Sequence, residues 1–254
     1  MDSGEQMIPI VLSGLTAAGK TTHAALLASA LGVDALHATD ILVRELAADE
    51  RSVGDVWFRR MRELESLRDH SDVDDRVDAE LTALVAAARG GPVVDSWAFP
   101  WYWKGEALRI WMGSDRLSRA WKCSVSARPA KNLSTEECAA LIDEKDEASR
   151  ERFLERYGFD LYTDRTVFDF VLDNSHLICA PTSEASRRGI RDFHTVLSAC
   201  VESGTSGESE PLRRTLTDER LGPCVVGIGE RLAAEWGWGP EETRTKPVLA
   251  ARRL

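Results

Sequence analysis

The sequence predicts an α/β fold, a three-layer sandwich in which helices cover both faces of a central parallel sheet. Short apolar runs typical of buried strands recur along the chain, and helical patterns separate them. The first run, at residues 8–12, leads into a glycine-rich loop at 14–21, and a helical pattern follows until Gly32. A strand, a loop and a helix in this order are typical of the start of a parallel α/β domain.

The loop carries the pattern G-x-x-x-x-G-K-[ST], with Gly14, Gly19, Lys20 and Thr21 at its fixed positions. The glycines let successive backbone N–H groups turn inward, and the next helix adds its positive end, so such a loop cradles phosphates. Lys20 then reaches the β- and γ-phosphates, and the Thr21 hydroxyl ligates Mg²⁺. The alternative is a chance glycine-rich turn. We predict a P-loop NTPase that binds ATP and Mg²⁺ through Gly14, Ala17, Ala18, Gly19, Lys20, Thr21 and Thr22.

The composition argues against several classes of protein. The formal net charge is −10, from 32 basic and 42 acidic residues, which disfavours a general binder of nucleic acid or of anionic membranes. No apolar run approaches the roughly 18 residues of a membrane span, and residues 1–7 do not resemble a signal peptide. Five scattered cysteines without C-x-x-C spacing indicate neither a disulfide framework nor a zinc site. We expect a cytoplasmic protein, a monomer or homodimer, that binds small molecules.

Hydrophobic spacing predicts the remaining elements. Strands are expected at 35–38, 92–95, 107–112 and 167–172, and helices at 41–48, 53–67, 73–88, 115–124 and 183–201. Thr39 or Asp40 is expected to cap the helix at 41–48. A capping box that begins at Ser134 opens a long helix that ends at Gly158, after a mobile loop at 126–133.

The chain divides into two parts by composition. Residues 1–203 are expected to form the P-loop domain, with helices for a second substrate at about 40–90 and a helical lid at about 126–160. Residues 204–254 are expected to form a C-terminal extension, because the stretch 204–211 is rich in glycine and serine, as linkers are. The pattern at 225–236 predicts one further helix.

Polar residues follow two of the predicted strands. Asp40 and Arg44 come after the second strand, where an arginine can hold a phosphorylated substrate, although a solvated helix start explains them equally. Asp95 ends the third strand, where a carboxylate assists Mg²⁺ or its waters, or caps the next helix. Four large aromatic residues then follow, which pack a core edge or stack a base: Trp97, Trp101, Tyr102 and Trp103.

The predicted lid helix carries Arg150, Arg152 and Arg156. Phosphoryl transfer needs such cations, because the moving group must be neutralised and shielded from water. The same arginines can pair along the helix with Glu147, Glu151 and Glu155, and different arginines can serve the two roles.

Two phrases carry a family resemblance. The segment 150–160, Arg-Glu-Arg-Phe-Leu-Glu-Arg-Tyr-Gly-Phe-Asp, and the strand 168–175, Phe-Asp-Phe-Val-Leu-Asp-Asn-Ser, resemble the lid end and last strand of nucleoside monophosphate kinases. The closest resemblance is to the archaeal-type cytidylate kinases. The phrase at 44–47 and the pair Asp75-Arg76 also look like elements of this family, and the resemblance covers about residues 8 to 200.

The resemblance implies roles for named residues. Lys20 and Thr21 would hold the donor phosphates and Mg²⁺, Arg44 the acceptor phosphate, and Arg150 and Arg152 the transferring group. The catalytic set is then Lys20, Asp95, Arg150 and Arg152, and the substrate-binding set is Asp40, Arg44, Arg76, Trp97 and Arg156.

Trp97 departs from the family, which places an arginine there to help hold the acceptor. The spacing from Asp40 to Arg44 is also one residue longer than usual. The leading hypothesis is therefore an ATP- and Mg²⁺-dependent kinase of CMP, dCMP or a related pyrimidine nucleotide. The alternatives are a kinase of a specialised small molecule or modified nucleoside, and a nucleotide-binding regulatory or assembly protein.

Overall fold

A computed structural model describes residues 7–45, 68, 72–127 and 133–239. Its six strands form one sheet in the order β2-β3-β1-β4-β5-β6. The strands are β1 (Ile10–Gly14), β2 (Ala35–His37), β3 (Val93–Asp95), β4 (Leu108–Gly113), β5 (Phe170–Asp173) and β6 (Val225–Ile228). The first five run parallel, and β6 pairs antiparallel with β5.

Helices connect the strands in the described part of the chain. They are α1 (Lys20–Leu31), α2 (Ala38–Glu45), α3 (Val73–Ala87), α4 (Phe99–Tyr102), α5 (Arg116–Ala127), α6 (Thr135–Tyr157), α7 (Ser183–Ser206), α8 (Glu210–Thr217) and α9 (Glu230–Glu235). Short 3₁₀ turns lie at Ser175–Leu177 and Gly222–Cys224. None of these described helices has an apolar stretch long enough to span a bilayer.

Helices pack on both faces of the sheet because alternate residues of β1 point to opposite sides. Ile10 and Leu12 belong to a core that α1, α7 and the segment from α8 to α9 complete. Val11 belongs to a second core, formed with α3. This arrangement confirms the predicted three-layer α/β sandwich.

Glycines and a capping box fix the predicted turns. Gly14 has φ +144°, and a Cβ at this position would lie 2.1 Å from the Met112 carbonyl oxygen, so only glycine lets β1 and β4 approach here. At the start of α6, Glu137 N–H donates to Ser134 Oγ, and Ser134 N–H donates to the Glu137 carboxylate. Gly158 ends that helix with φ +73°.

Three predicted local structures are wrong. Helix α2 begins at Ala38, so Thr39 and Asp40 lie in its first turn and do not cap it. The stretch 204–211 is not a linker, because α7 continues to Ser206 and α8 begins at Glu210. The predicted helix at 225–236 is wrong in its first part, where residues 225–228 form β6, since a short apolar run suits a buried strand as well as a helix, whereas α9 lies in its second part.

Several expectations lie outside the described residues. They are the helix at 53–67, the end of the helix at 41–48, and most of the loop at 126–133. The predicted boundary at residue 203 stays a prediction.

Candidate active site

A cavity of about 430 Å³ opens at the carboxyl ends of the parallel strands. Ligands bind in this crevice in open α/β sheets. The loop residues 16–22 lie between two groups of lining residues, which we call lobes. The β2–β3 lobe comprises His37, Asp40, Arg68, Asp74, Asp78, Asp95, Trp97 and Phe153, and the β4–β5 lobe comprises Lys122, Cys123, Asn174, Ile178, Gly189 and Ile190.

The phosphate loop holds Lys20 at the cavity wall. Its ammonium donates to the carbonyl oxygens of Gly14, at 2.9 Å, and Leu15, at 3.1 Å. Burial lowers the pKa of Lys20 to about 8, although the charges of Asp95 and Asp146 oppose this shift. All predicted loop residues line the cavity except Gly14. The carbonyl oxygen of Gly14 instead accepts a hydrogen bond from the Lys20 ammonium.

Thr21 and Asp95 form a polar pair beside Lys20. The Thr21 hydroxyl donates to Asp95 Oδ2 at 2.6 Å, and His37 Nδ1 lies 3.2 Å from the same oxygen. Burial favours the neutral acid, but the hydrogen bond with His37 and the charge of Lys20 hold the pKa of Asp95 below its usual value. Its hydrogen bond to Asp95 raises the pKa of His37. An ionised carboxylate next to a hydroxyl is a suitable oxygen set for Mg²⁺.

Trp97 lines the cavity, whereas the other three aromatic residues of its group pack elsewhere. The Trp97 ring lies edge-to-face against Phe153, with centroids 5.7 Å apart. Trp101 stacks on Phe159, and Trp103 stacks on Phe99. Tyr102 also contacts Phe99. The structure therefore separates one aromatic residue that can touch a ligand from three that close a core.

The five predicted substrate-binding or clamping arginines do not line the cavity. Each is paired with carboxylates: Arg44 with Glu80; Arg76 with Glu45 and Asp72; Arg150 with Glu147 and Asp160; Arg152 with Asp74; and Arg156 with Asp75 and Asp78. Asp74 and Asp78 themselves line the cavity. The roles of these arginines in binding stay predictions.

Sequence reasoning assigned no role to three cations at the loop. Lys145 of α6 lines the cavity, and its charge contributes to the lowered pKa of Lys20. Lys122 of α5 donates to Asn174 Oδ1, at 3.0 Å, and to the Ala18 carbonyl, at 3.3 Å. Arg119 is buried against Asp146 of α6. The sequence does contain a signal for these three residues. Arg119 and Lys122 lie on the helix that follows a central strand, and Lys145 lies on the predicted lid helix, so basic residues cluster on the two helices expected nearest the loop.

His37 and His23 are also additions to the predicted site. His37 is the last residue of β2, where the sequence reads only as a short strand. His23 lines the cavity and packs edge-to-face on Phe193, at 5.1 Å between centroids. Burial lowers the pKa of His23 to about 3, so its ring is neutral at ordinary pH.

Two relatives of this chain carry the name cytidylate kinase. Cytidylate kinases from Pyrobaculum aerophilum and Pyrobaculum neutrophilum are 31% and 35% identical over 172 residues, which cover 67% of this chain and 86% of theirs. A crystal structure of an uncharacterized protein from Eubacterium ventriosum aligns with 71% of this chain and 95% of its own, at 8% identity and a TM-score of 0.48.

A family model extends over most of the site. The model of the cytidylate kinase-like family matches residues 9–176, which include the phosphate loop, Asp95, Trp97 and the whole of α6. Together with the relatives, this match confirms the predicted resemblance and the prediction of a kinase. The chain therefore belongs to the cytidylate kinase-like family.

Proposed function

We propose that this chain transfers the γ-phosphoryl group of ATP to a small acceptor in the manner of a nucleoside monophosphate kinase, with CMP or dCMP as acceptor. The observation that carries the proposal is the position of Lys20, whose buried ammonium lies beside both Trp97 and Asp95 where the two lobes meet. Catalysis then consists of positioning the two substrates and neutralising charge, with no covalent enzyme intermediate.

The β4–β5 lobe suits the donor base. Ile178 and Ile190 supply apolar surface, and the Gly189 backbone packs so closely that a Cβ would lie 2.5 Å from Ile178 Cδ1. Asn174 Nδ2 donates to the Ala18 carbonyl at 2.9 Å, which joins this lobe to the loop. A flat heterocycle with its phosphates in the loop fits such a wall of apolar and small residues.

Thr21 and Asp95 would hold Mg²⁺, which neutralises phosphate charge when bound. Their 2.6 Å contact at the cavity wall and the ionised state of Asp95 support this assignment. Lys20 contributes a fixed cation, and Lys145 brings a second cation from α6. Trp97 and Phe153 are in edge-to-face contact at the cavity wall, and their apolar surface would help to exclude water from the phosphates.

The β2–β3 lobe favours a second candidate as well. Among the described residues that line this lobe, four are carboxylates, Asp40, Asp74, Asp78 and Asp95, whereas Arg68 is the guanidinium and is paired with Asp74. Aromatic faces complete the lobe. These carboxylates would repel an acceptor of lower negative charge, such as a nucleoside or another hydroxyl compound, less than they would repel a nucleotide.

An assay of ADP release over a panel of nucleoside monophosphates, nucleosides and other hydroxyl compounds tests both candidates. We expect turnover that requires ATP and Mg²⁺, is highest with CMP or dCMP, and disappears in Lys20→Ala. A preference for an unphosphorylated compound would select the second candidate. ADP release that no acceptor raises above hydrolysis by water would contradict both.

A further inference from the structure

Two ion pairs join α5 to α6, one helical turn apart. The outer pair, Arg116 and Asp143, has an N–O distance of 2.6 Å and side chains that are 41% and 47% exposed. The inner pair, Arg119 and Asp146, has side chains that are 6% and 0% exposed. The same two helices therefore carry one pair in solvent and one in the interior.

The inner pair forms hydrogen bonds with both backbone polar groups of one loop residue, its N–H and its carbonyl oxygen. The N–H of Thr16 donates to Asp146 Oδ1 at 3.1 Å. The Arg119 guanidinium donates to the carbonyl oxygen of the same Thr16 at 3.3 Å. A carboxylate from the lid helix and a guanidinium from the helix before it thus fix the third residue of the phosphate loop.

The next residue explains why the loop needs such contacts. Ala17 has φ +59°, and it is the one non-glycine residue of the described chain with a left-handed backbone. This conformation costs on the order of 1 kcal/mol and persists only where the surroundings enforce it. Thr16 is held on one side of Ala17, and the carbonyl of Ala18 is held on the other by Lys122 and Asn174.

Fold stability alone does not account for the inner pair. Buried ion pairs are often no more stabilising than apolar residues of the same size, because both charges lose their water. Apolar contacts already join the two helices through Cys123, Cys138 and Ile142. What apolar side chains could not replace are the two hydrogen bonds to Thr16.

We propose that Arg119 and Asp146 are positioning residues that set the phosphate loop in its binding conformation from the lid helix. The loop and α6 then act as one unit, and Lys145, next to Asp146 on α6, is held at the cavity by the same contact. This inference rests on the proposed function only in taking the loop as the site of a polyphosphate.

Binding of inorganic tripolyphosphate, measured by calorimetry without any acceptor, tests the inference. Arg119→Met combined with Asp146→Leu replaces both charges with apolar side chains, and a melting temperature close to that of the wild-type protein would show that the variant folds. We expect its Kd for tripolyphosphate to rise at least about tenfold, because the loop is no longer held. The matched control, Arg116→Met combined with Asp143→Leu, should bind as the wild-type protein does.

Steady-state kinetics give a second readout, since the KM for ATP should rise while the KM for the acceptor stays unchanged. A folded inner-pair variant that binds tripolyphosphate with wild-type affinity would overturn the inference. If that variant does not fold, Arg119→Ala combined with Asp146→Ala removes the same hydrogen bonds without added bulk, and the same measurement decides: unchanged affinity overturns the inference, and weaker affinity supports it. Failure of the wild-type protein itself to bind would instead contradict the proposed function.

Discussion

The ammonium of Lys20 lies over the face of the Trp97 ring, 4.9 Å from its centre. The loop lysine is therefore a direct neighbour of the residue at which the resemblance predicts a departure from the family pattern. A cation over an indole is attracted to it, and the attraction strengthens where water is excluded. The backbone holds Trp97 in this place, since the Ser13 hydroxyl donates to its carbonyl oxygen at 2.7 Å. A change at either residue should consequently affect the other.

Lys20→Ala should remove most phosphoryl transfer and leave the fold intact. Loss of a charge contact with the transferring group should lower kcat by about 10² to 10⁴. The ammonium is buried with a lowered pKa, so its removal should cost little stability. Rates and melting temperatures of the variant and of Lys104→Ala, an exposed lysine, would show this. A folded Lys20→Ala protein with full activity would exclude a kinase that uses this loop.

Arg44→Ala should raise the KM for CMP and leave the KM for ATP unchanged. Arg44 is 60% exposed and pairs with Glu80, and such surface pairs contribute at most about 1 kcal/mol, so the guanidinium can leave Glu80 for a phosphate. A charge-assisted bond to phosphate corresponds to a rise in KM of about tenfold or more. Arg89→Ala, at an exposed arginine, is the control. Equal values of KM in the two variants would favour an unphosphorylated acceptor.

Trp97→Arg should lower the KM for CMP without raising kcat. The family resemblance alone predicts higher turnover of CMP in this variant, because it implies an arginine at this position. The structure adds a cost, since the new guanidinium would replace an aromatic face beside Lys20 and repel that lysine. Trp97→Phe keeps an aromatic contact with Phe153 and should keep the wild-type KM. Separate values of kcat and KM for both variants check this, and a Trp97→Arg protein with the KM of Trp97→Phe would contradict it.

Lys122 should make stability depend on pH. Burial and the charge of Arg119 lower its pKa from 10.5 to about 7, although Asp173 and Asp115 oppose the shift. The unfolded chain then binds more protons between these two values, so the free energy of unfolding rises with pH from about 7 to about 10.5, and this gain is lost as pH falls back from about 10.5 to about 7.

Denaturant unfolding of the wild-type protein and of Lys122→Met, from about pH 6 to about pH 9, measures this contribution. The difference in unfolding free energy between the two proteins should shift in favour of the wild type by roughly 2 to 3 kcal/mol over this range. A difference that stays constant with pH would show that Lys122 is fully charged in the folded protein.

Local chemistry made the centre of the fold predictable. The strand, loop and helix around Lys20 follow from glycine positions and helix spacing, and the capping box at Ser134 fixes the start of α6. Strand β6 was not predictable, because the run 225–228 is too short to show a period, and only pairing with β5 makes it a strand. Asp146 contacts Arg119 and Thr16, which lie 27 and 130 positions away in the sequence. A local sequence pattern cannot predict contacts between residues so far apart in the chain.

Strand β6 also has a consequence for synthesis of the chain. The sheet edge at β5 gains its partner only after α7 and α8 have been made, since Phe170 pairs with Ile228. Until then β5 is an open edge, and open edges pair with other chains. The part that matches the family model, residues 9–176, thus lacks the strand that covers β5, which a later segment supplies. A fragment that stops at residue 203, or a ribosome stalled there, should yield an aggregating intermediate and not a smaller kinase.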